Sequence, residues 1–210
     1  MIASLPEAVL AARLLPLVDH PDPDVVVAAT RAAVAAGAPT VEIGLRHPDS
    51  LEALRRAAAA VAVPVGAGTV VDPAQAAAAR DVGAAYLVSP GSSPALVDAV
   101  AATGLPWLPG AATPTEVLAL RAAGAAMVKV FPAALLGGPA HLRALASVAA
   151  GVRFVPTGGI TQADAVDYLA VDVVVAVGGS WMFPRDATAD TDWTGTEDTV
   201  RTALARTRPT

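Results

Sequence analysis

Of the 14 basic residues in this 210-residue chain, one is a lysine, Lys129, and all the others are arginines. That lysine sits inside an apolar run, Met127-Val128-Lys129-Val130-Phe131-Pro132. A guanidinium stays charged, whereas an ammonium held in a dry pocket sheds its proton readily and becomes a nucleophilic amine of the kind a Schiff-base enzyme needs. On this segment alone, a lysine snorkelling from a strand edge to water is an equal reading. A second cluster, Glu42-Ile43-Gly44-Leu45-Arg46, alternates with period two, which sets Glu42, Gly44 and Arg46 on one face of a strand. A carboxylate and a guanidinium on that face are either a general acid/base beside an anion holder or a structural ion pair plugging a core. Two glycine pairs, Gly158-Gly159 and Gly178-Gly179, the latter followed by Ser180, are positions where backbone N–H groups can approach an anion closely. Any tight turn also uses such a pair, so it is the repetition of the pattern that points to an anion site.

Composition limits what these residues can be doing. Apolar residues make up 54% and charged residues 16%, a balance that buries a core. The net charge of −5 argues against a nucleic-acid surface, so an anionic ligand must be held by local donors. There is no cysteine, and His20, His47 and His141 do not pair at metal-ligand spacing. The first twenty residues lack a basic leader and carry Glu7 and Arg13, and no uncharged run is long and uninterrupted enough to span a bilayer. The expectation is a cytoplasmic protein acting on a small molecule, with no nucleic acid or membrane partner.

The elements that must position these residues alternate regularly. Short β-branched runs at 14–18, 41–45, 64–67, 85–88, 106–108, 127–130, 153–156 and 173–177 read as strands. Helices are predicted after each, at 23–36, 48–60, 73–82, 94–102, 114–123, 139–148, 162–169 and 196–206, with a short helix near 5–12 in front. Asp22-Pro23, Asp72-Pro73, Ser93-Pro94 and Thr113-Pro114 are cap-plus-proline starts, and Gly37, Gly83, Gly104 and Gly124 are helix stops. Eight strand–helix units predict an α/β fold, a (β/α)8 TIM barrel forming a single domain over residues 1–210. An open doubly wound sheet is the alternative, but no Gly-x-Gly-x-x-Gly follows the first strand. Residues 185–196 read as a surface loop. In a barrel the chemistry belongs at the carboxyl ends of the strands, where Glu42, Lys129 and both glycine pairs fall.

Seven segments in this order, Val41-Glu42-Ile43-x-Leu45-Arg46, Gly66-Ala67-Gly68-Thr69-Val70, Val88-Ser89-Pro90-Gly91, Leu108-Pro109-Gly110, Val128-Lys129-x-Phe131-Pro132-Ala133, Pro156-Thr157-Gly158-Gly159-Ile160 and Gly178-Gly179-Ser180-Trp181, resemble the 2-keto-3-deoxy-6-phosphogluconate (KDPG)/4-hydroxy-2-oxoglutarate (KHG) aldolase family. The resemblance runs from about residue 14 to 184. It implies a class I aldolase that works without a metal or other cofactor and releases pyruvate and an aldehyde, either glyceraldehyde 3-phosphate or glyoxylate. Lys129 would form the Schiff base and Glu42 would act as general acid/base. Arg46 and Thr69 would hold the pyruvyl carboxylate, and Pro90 and Phe131 would line the apolar side of the pocket. Thr157, Gly158, Gly159, Gly179 and Ser180 would contact the rest of the substrate, with any phosphate at the glycines and Ser180. Family members are commonly homotrimers.

Three positions depart from the family pattern. Gly44 stands where many relatives carry Thr, Ala134 where they often carry Glu, and Asp19-His20 where the first strand of relatives ends on a basic or apolar residue. All three touch recognition of the aldehyde half and not the Schiff-base machinery. His47 is read as a solvent-facing helix-start residue. Two other classes fit the same residues: a sugar-phosphate isomerase or epimerase using Glu42 as base, and a catalytically silent barrel in which Lys129 and Glu42 are a buried ion pair. Neither predicts a covalent adduct at Lys129.

Overall fold

The computed structural model describes residues 5–207. Residues 1–4, part of the stretch read as lacking a leader, lie outside the described residues. The chain begins with α1 (Glu7–Ala12), β1 (Leu14–Val18), α2 (Pro23–Ala35), β2 (Val41–Gly44), α3 (Ser50–Ala60), β3 (Val65–Gly68), α4 (Pro73–Asp81), β4 (Leu87–Val88) and α5 (Pro94–Thr103). It continues with β5 (Trp107–Leu108), β6 (Gly110–Ala111), α6 (Pro114–Ala122), β7 (Met127–Val130), α7 (Gly138–Val148), β8 (Arg153–Pro156), α8 (Ala165–Leu169), β9 (Val177–Gly179) and α9 (Thr194–Thr207).

Every strand pair is parallel, as the alternation of strands and helices requires. The strands run β5-β4-β3-β2-β1-β9 in one sheet and β6-β7-β8 in another. Pro109 separates β5 from β6, since it has no N–H to give to a ladder. At the other side, single parallel bridges join Phe154 to Val174 and Thr157 to Gly178. The result is a parallel α/β fold with a curled sheet. The eighth predicted strand was placed too early: β9 starts at Val177, and of the preceding valines only Val174 makes a bridge. A run of valines has no internal marker of register, and the sheet ladder selects its end.

Helix starts follow the cap residues. The side chains of Asp22, Asp72, Ser93 and Thr113 accept from backbone N–H groups of the first turn, and each is followed by proline. Helix α8 is shorter than predicted because Thr161 and Asp164 hydrogen-bond each other in a turn that occupies its first residues.

Two apolar clusters result. The larger lies between the sheet and the helices and contains Leu14, Val18, Val41, Ile43, Val65, Ala67, Leu87 and Val128. The smaller lies on the opposite strand face and contains Leu15, Tyr86, Val88, Leu108, Met127 and Val155, with Leu5 and Val9 closing it from the chain start. Strand β3 presents Gly66 and Gly68 to this inner side. A Cβ at Gly66 would come within 2.1 Å of the Tyr86 ring, so that glycine makes room for the largest side chain of the inner cluster.

Candidate active site

Lys129 sits on β7 in phase with Met127, so its side chain projects from the inner face of the sheet. Its backbone N–H donates to Pro109 O (2.8 Å), and it pairs with Gly110 on one side and Val155 on the other. Glu42, from β2, reaches the same interior. The two residues are 3% and 1% exposed, and Nζ stands 3.5 Å from Glu42 Oε1. That spacing lets the charges attract but is long for a hydrogen bond, and Oε1 has no hydrogen-bond partner. An unpaired buried polar atom costs on the order of 1–3 kcal/mol, which a substrate hydroxyl or water between amine and carboxylate would relieve. The Phe131 ring lies 5.7 Å from Nζ, within cation–π range, and the Phe131–Pro132 peptide bond is cis.

Below this pair, burial pushes the Tyr86 phenol far above its ordinary range. A hydrogen bond with Thr40 works against that rise, and the Glu42 charge adds to it. Tyr86 therefore stays neutral, and its hydroxyl, 2.7 Å from Thr40 Oγ1, is structural. The carboxylate facing the amine is that of Glu42.

Arg46 follows β2 and is held from two sides. Its Nε donates to Thr69 Oγ1 at 3.0 Å, and Nη1 donates to Asp19 Oδ2 at 2.8 Å. Thr69 has φ 58°, a left-handed conformation costing a β-branched residue on the order of 1–2 kcal/mol, and in it the hydroxyl meets the guanidinium. His47, read as solvent-facing, instead brings Nε2 to 3.3 Å from Asp19 Oδ1.

The far wall comes from the ends of β8 and β9. Gly158 and Gly159 have φ of 91° and 77°, which glycine adopts without steric cost. The carbonyls of Thr157 and Gly158 accept from Ala133 and Ala134 at 2.8 and 3.1 Å, tying this turn to the segment after Lys129. Thr157 Oγ1 and Trp181 Nε1 are buried without partners.

Of the predicted residues, Glu42, Arg46, Lys129, Phe131, Thr157, Gly158, Gly159, Gly179 and Ser180 all line one cavity of about 510 Å³. Thr69 is outside that lining and touches the site through Arg46. Pro90 is also outside it: its backbone lies against Gly110, where a Cβ would come within 2.2 Å of the Pro90 carbonyl carbon. Leu17, Ile160, Thr161, Trp181, Phe183 and Arg185 complete the wall and were not among the predicted site residues. Arg185 is the notable omission, since it opens the segment taken for a surface loop. A cation soon after the Gly178-Gly179-Ser180 turn was the available signal. Together the walls place a buried amine, a facing carboxylate and a tethered guanidinium around a space of small-metabolite size.

Comparison with known proteins agrees with this geometry. The family model described as KDPG and KHG aldolase matches residues 6–198. The 2-dehydro-3-deoxy-phosphogluconate aldolase of Pseudomonas aeruginosa is 37% identical over 196 residues, covering 93% of this chain and 89% of the relative. A crystal structure of the Zymomonas mobilis 2-keto-3-deoxy-6-phosphogluconate aldolase with 3-phosphoglycerate superposes with a TM-score of 0.90 at 33% identity, covering 96% of this chain and 95% of that one. The KDPG aldolase from Legionella pneumophila, with pyruvate captured as a covalent carbinolamine intermediate, gives a TM-score of 0.89 at 32% identity, covering 94% and 97%.

Proposed function

The chain belongs to the KDPG and KHG aldolase family, and from that premise we propose that Lys129 is the Schiff-base nucleophile of a pyruvate-forming lyase, with Glu42 as its proton carrier. The observation that carries the reading is the buried amine of Lys129 standing 3.5 Å from the equally buried Glu42 Oε1. The neutral amine adds to the C2 carbonyl of a 2-keto-4-hydroxy acid, giving a carbinolamine, and Glu42 supplies the proton with which water departs as the imine forms. Glu42 then takes the proton of the C4 hydroxyl. The C3–C4 bond breaks, its electron pair moves into the imine to give an enamine, and the aldehyde leaves. Protonation of the enamine at C3 and hydrolysis release pyruvate and restore the amine.

Arg46, braced by Thr69, holds the keto-acid carboxylate and keeps C2 in reach of the amine. Phe131 covers the apolar side of pyruvate, and Pro90 supports that wall from behind Gly110. Thr157, Gly158, Gly159, Gly179 and Ser180 take the distal end of the substrate, where Arg185 adds a positive charge for a phosphate. Every step runs through the imine, so none is routed through a metal or cofactor. In this proposal the two sheets belong to one eight-stranded (β/α)8 barrel, a reading supported by the single residue Pro109 between β5 and β6 and by the isolated bridges from Phe154 and Thr157 at the other seam. Residues 1–210 are one domain, assembled as a homotrimer in the cytoplasm. No helix among the described residues is long and apolar enough to cross a membrane.

The deciding experiment is the intact mass of the protein after incubation with pyruvate and borohydride, followed by peptide mapping. Only Lys129 and the terminal amine can be trapped, because the chain has no other lysine. One pyruvyl adduct on Lys129 is expected. Folded protein with no adduct would overturn the reading in favour of an isomerase or a silent barrel.

A further inference from the structure

Two of the positions that depart from the family pattern meet behind Arg46. Strands β1 and β2 pair Leu17 with Glu42 and Val18 with Ile43, so the next residue of each, Asp19 and Gly44, come side by side. A Cβ on Gly44 would lie 3.0 Å from Asp19 Oδ1 and 3.3 Å from its Cγ, tighter than an ordinary contact. Gly44 has no positive φ, so glycine is needed there for space and not for conformation. Both departures were expected to touch the aldehyde half. The structure sets them instead at the guanidinium assigned to the keto-acid carboxylate.

Asp19 does not line the catalytic cavity. It lines the adjoining one of about 350 Å³, and Arg46 lines both, so whatever Asp19 does for the substrate it does through Arg46. Asp19 Oδ2 accepts from Arg46 Nη1 at 2.8 Å, while Arg46 Nε donates to Thr69 Oγ1 at 3.0 Å. Of the three guanidinium nitrogens, Nη2 alone makes no hydrogen bond among the described residues. Oδ1 of Asp19 is buried between Gly44 and His47 Nε2, 3.3 Å away, which keeps Oδ2 turned to Arg46.

The Arg46 side chain is 40% exposed, and a long stem that open to water samples many rotamers unless it is tied. One tie would leave the guanidinium free to swing about it. Two ties, from the ends of β1 and β3, fix the plane and leave Nη2 as the free donor. The Asp19 charge has an opposing effect, because it offsets part of the attraction of Arg46 for a second carboxylate. Water and salt screen that repulsion at so exposed a guanidinium, whereas the orientation set by the hydrogen bonds is not screened. Positioning therefore outweighs repulsion.

We infer that Asp19, seated by Gly44, is a positioning residue for the keto-acid half of the substrate: it holds Arg46 so that Nη2 donates to the carboxylate beside the C2 carbonyl. The inference rests on the aldolase reading and adds to it a second brace and the donor atom. Because that carboxylate is common to pyruvate, the sugar acid and 4-hydroxy-2-oxoglutarate, Asp19 acts on all three alike and does not discriminate between aldehydes.

The test measures KM and kcat for 2-keto-3-deoxy-6-phosphogluconate and 4-hydroxy-2-oxoglutarate, and the pyruvate concentration that half-saturates borohydride trapping at Lys129. The variants are Asp19→Ala, Asp19→Asn and Gly44→Ala beside the wild type. In Asp19→Ala both KM values and the half-saturating pyruvate should rise together on the order of tenfold, the scale of one freed side chain, with kcat within about threefold. Asp19→Asn keeps an oxygen that accepts from Nη1, so its KM values should stay within about threefold of the wild type. Gly44→Ala displaces the carboxylate and keeps its charge, so it should raise all three values by a smaller common factor. It also carries the test if Asp19→Ala does not fold. A lower KM in Asp19→Ala would mean that Asp19 competes with substrate for Arg46, and a rise on one substrate alone would put it at the aldehyde half. Either result overturns the inference, as does an Asp19→Asn that matches Asp19→Ala, or lower thermal stability with unmoved KM. Trapping separates the two levels. A wild-type adduct with the same half-saturation in every variant removes only the role of Asp19, whereas no adduct in the wild type removes the aldolase reading and the inference with it.

Discussion

Gly68 is the floor on which Glu42 rests: a Cβ on Gly68 would lie 2.1 Å from Glu42 Oε1 and 2.7 Å from its Cγ and Cδ. The register of β2 and β3, which pairs Gly44 with Gly68, places the glycine diagonally beside the carboxylate on the inner face. The position of the carboxylate opposite Lys129 thus depends on a residue that has no side chain.

Gly68→Ala should consequently act as a catalytic lesion with little loss of fold. Glu42 must move to clear the methyl group, and a displacement of about 1 Å at a reacting group can cost about 10²-fold in rate. The expected result is kcat down by about that factor, with far-UV circular dichroism unchanged and the pyruvate adduct on Lys129 still forming, more slowly. Wild-type kcat in Gly68→Ala would show that Glu42 does not need this position.

The Lys129–Glu42 pair makes a separate statement about stability. Removing one member of a buried pair strands the other charge, typically at about 3–5 kcal/mol, whereas replacing both by neutral groups of similar size restores much of that loss. Lys129→Met alone should therefore unfold at markedly lower urea than Lys129→Met/Glu42→Gln, and both should be inactive. If the double variant is no more stable than the single, the pair does not interact as a charged unit. A rescued double variant would mean that function, and not stability, keeps these charges inside.

How far the site could be read from the sequence follows from where each residue lies. Period-two alternation was enough to set Glu42 with Gly44 and Arg46 on one strand face, because on a strand parity alone decides which residues share a side; that the face of Met127 and Lys129 points inward is given by the sheet. The four capped helix starts were equally legible, since cap and proline act within a few residues. The interruption at Pro109 and the late start of β9 were not, because both depend on which neighbouring strand offers partners. Arg185 was missed as a cavity residue for a related reason. It follows a strand at a distance where parity no longer applies, and only the closure of β1 against β9 brings it to the space that Asp19 also lines.

The start of α6 gives a pH-dependent prediction. Thr113 and Glu116 form a reciprocal capping box, and the backbone N–H of Ala112, the hydroxyl of Thr113 and its N–H all donate to Glu116 Oε2 at 2.8 Å. The Ala112 N–H is the main cause holding the Glu116 carboxyl below its ordinary value of 4.5, partly opposed by burial and helped by Thr113. A depressed folded-state value means that the stabilisation is complete above about 4.5 and is lost as pH falls through the lower folded value. Because the site is exposed, the cap is worth about 1 kcal/mol or less. Urea midpoints of wild type and Glu116→Gln should differ at pH 7 and converge as pH falls below the lowered folded value. A gap that persists in acid would mean that the carboxylate charge is not what caps the helix.

Ser180 and Arg185 line the part of the cavity proposed to take a phosphate, and their variants should discriminate by substrate. Arg185→Ala removes a full charge from the cavity wall, whereas Ser180→Ala removes one hydroxyl. A charge-assisted hydrogen bond is about twice as strong as a neutral one, so Arg185 should matter more. For the phosphorylated keto acid, KM should rise about 30-fold in Arg185→Ala and about fivefold in Ser180→Ala, corresponding to roughly 2 and 1 kcal/mol. For the unphosphorylated analogue both variants should stay near wild type, and kcat should change little because neither group reaches the bond that breaks. The measurement is steady-state kinetics on the two substrates side by side. Equal losses on both would place the phosphate elsewhere, whereas a loss confined to the phosphorylated substrate would establish that the segment after β9 is part of the binding site.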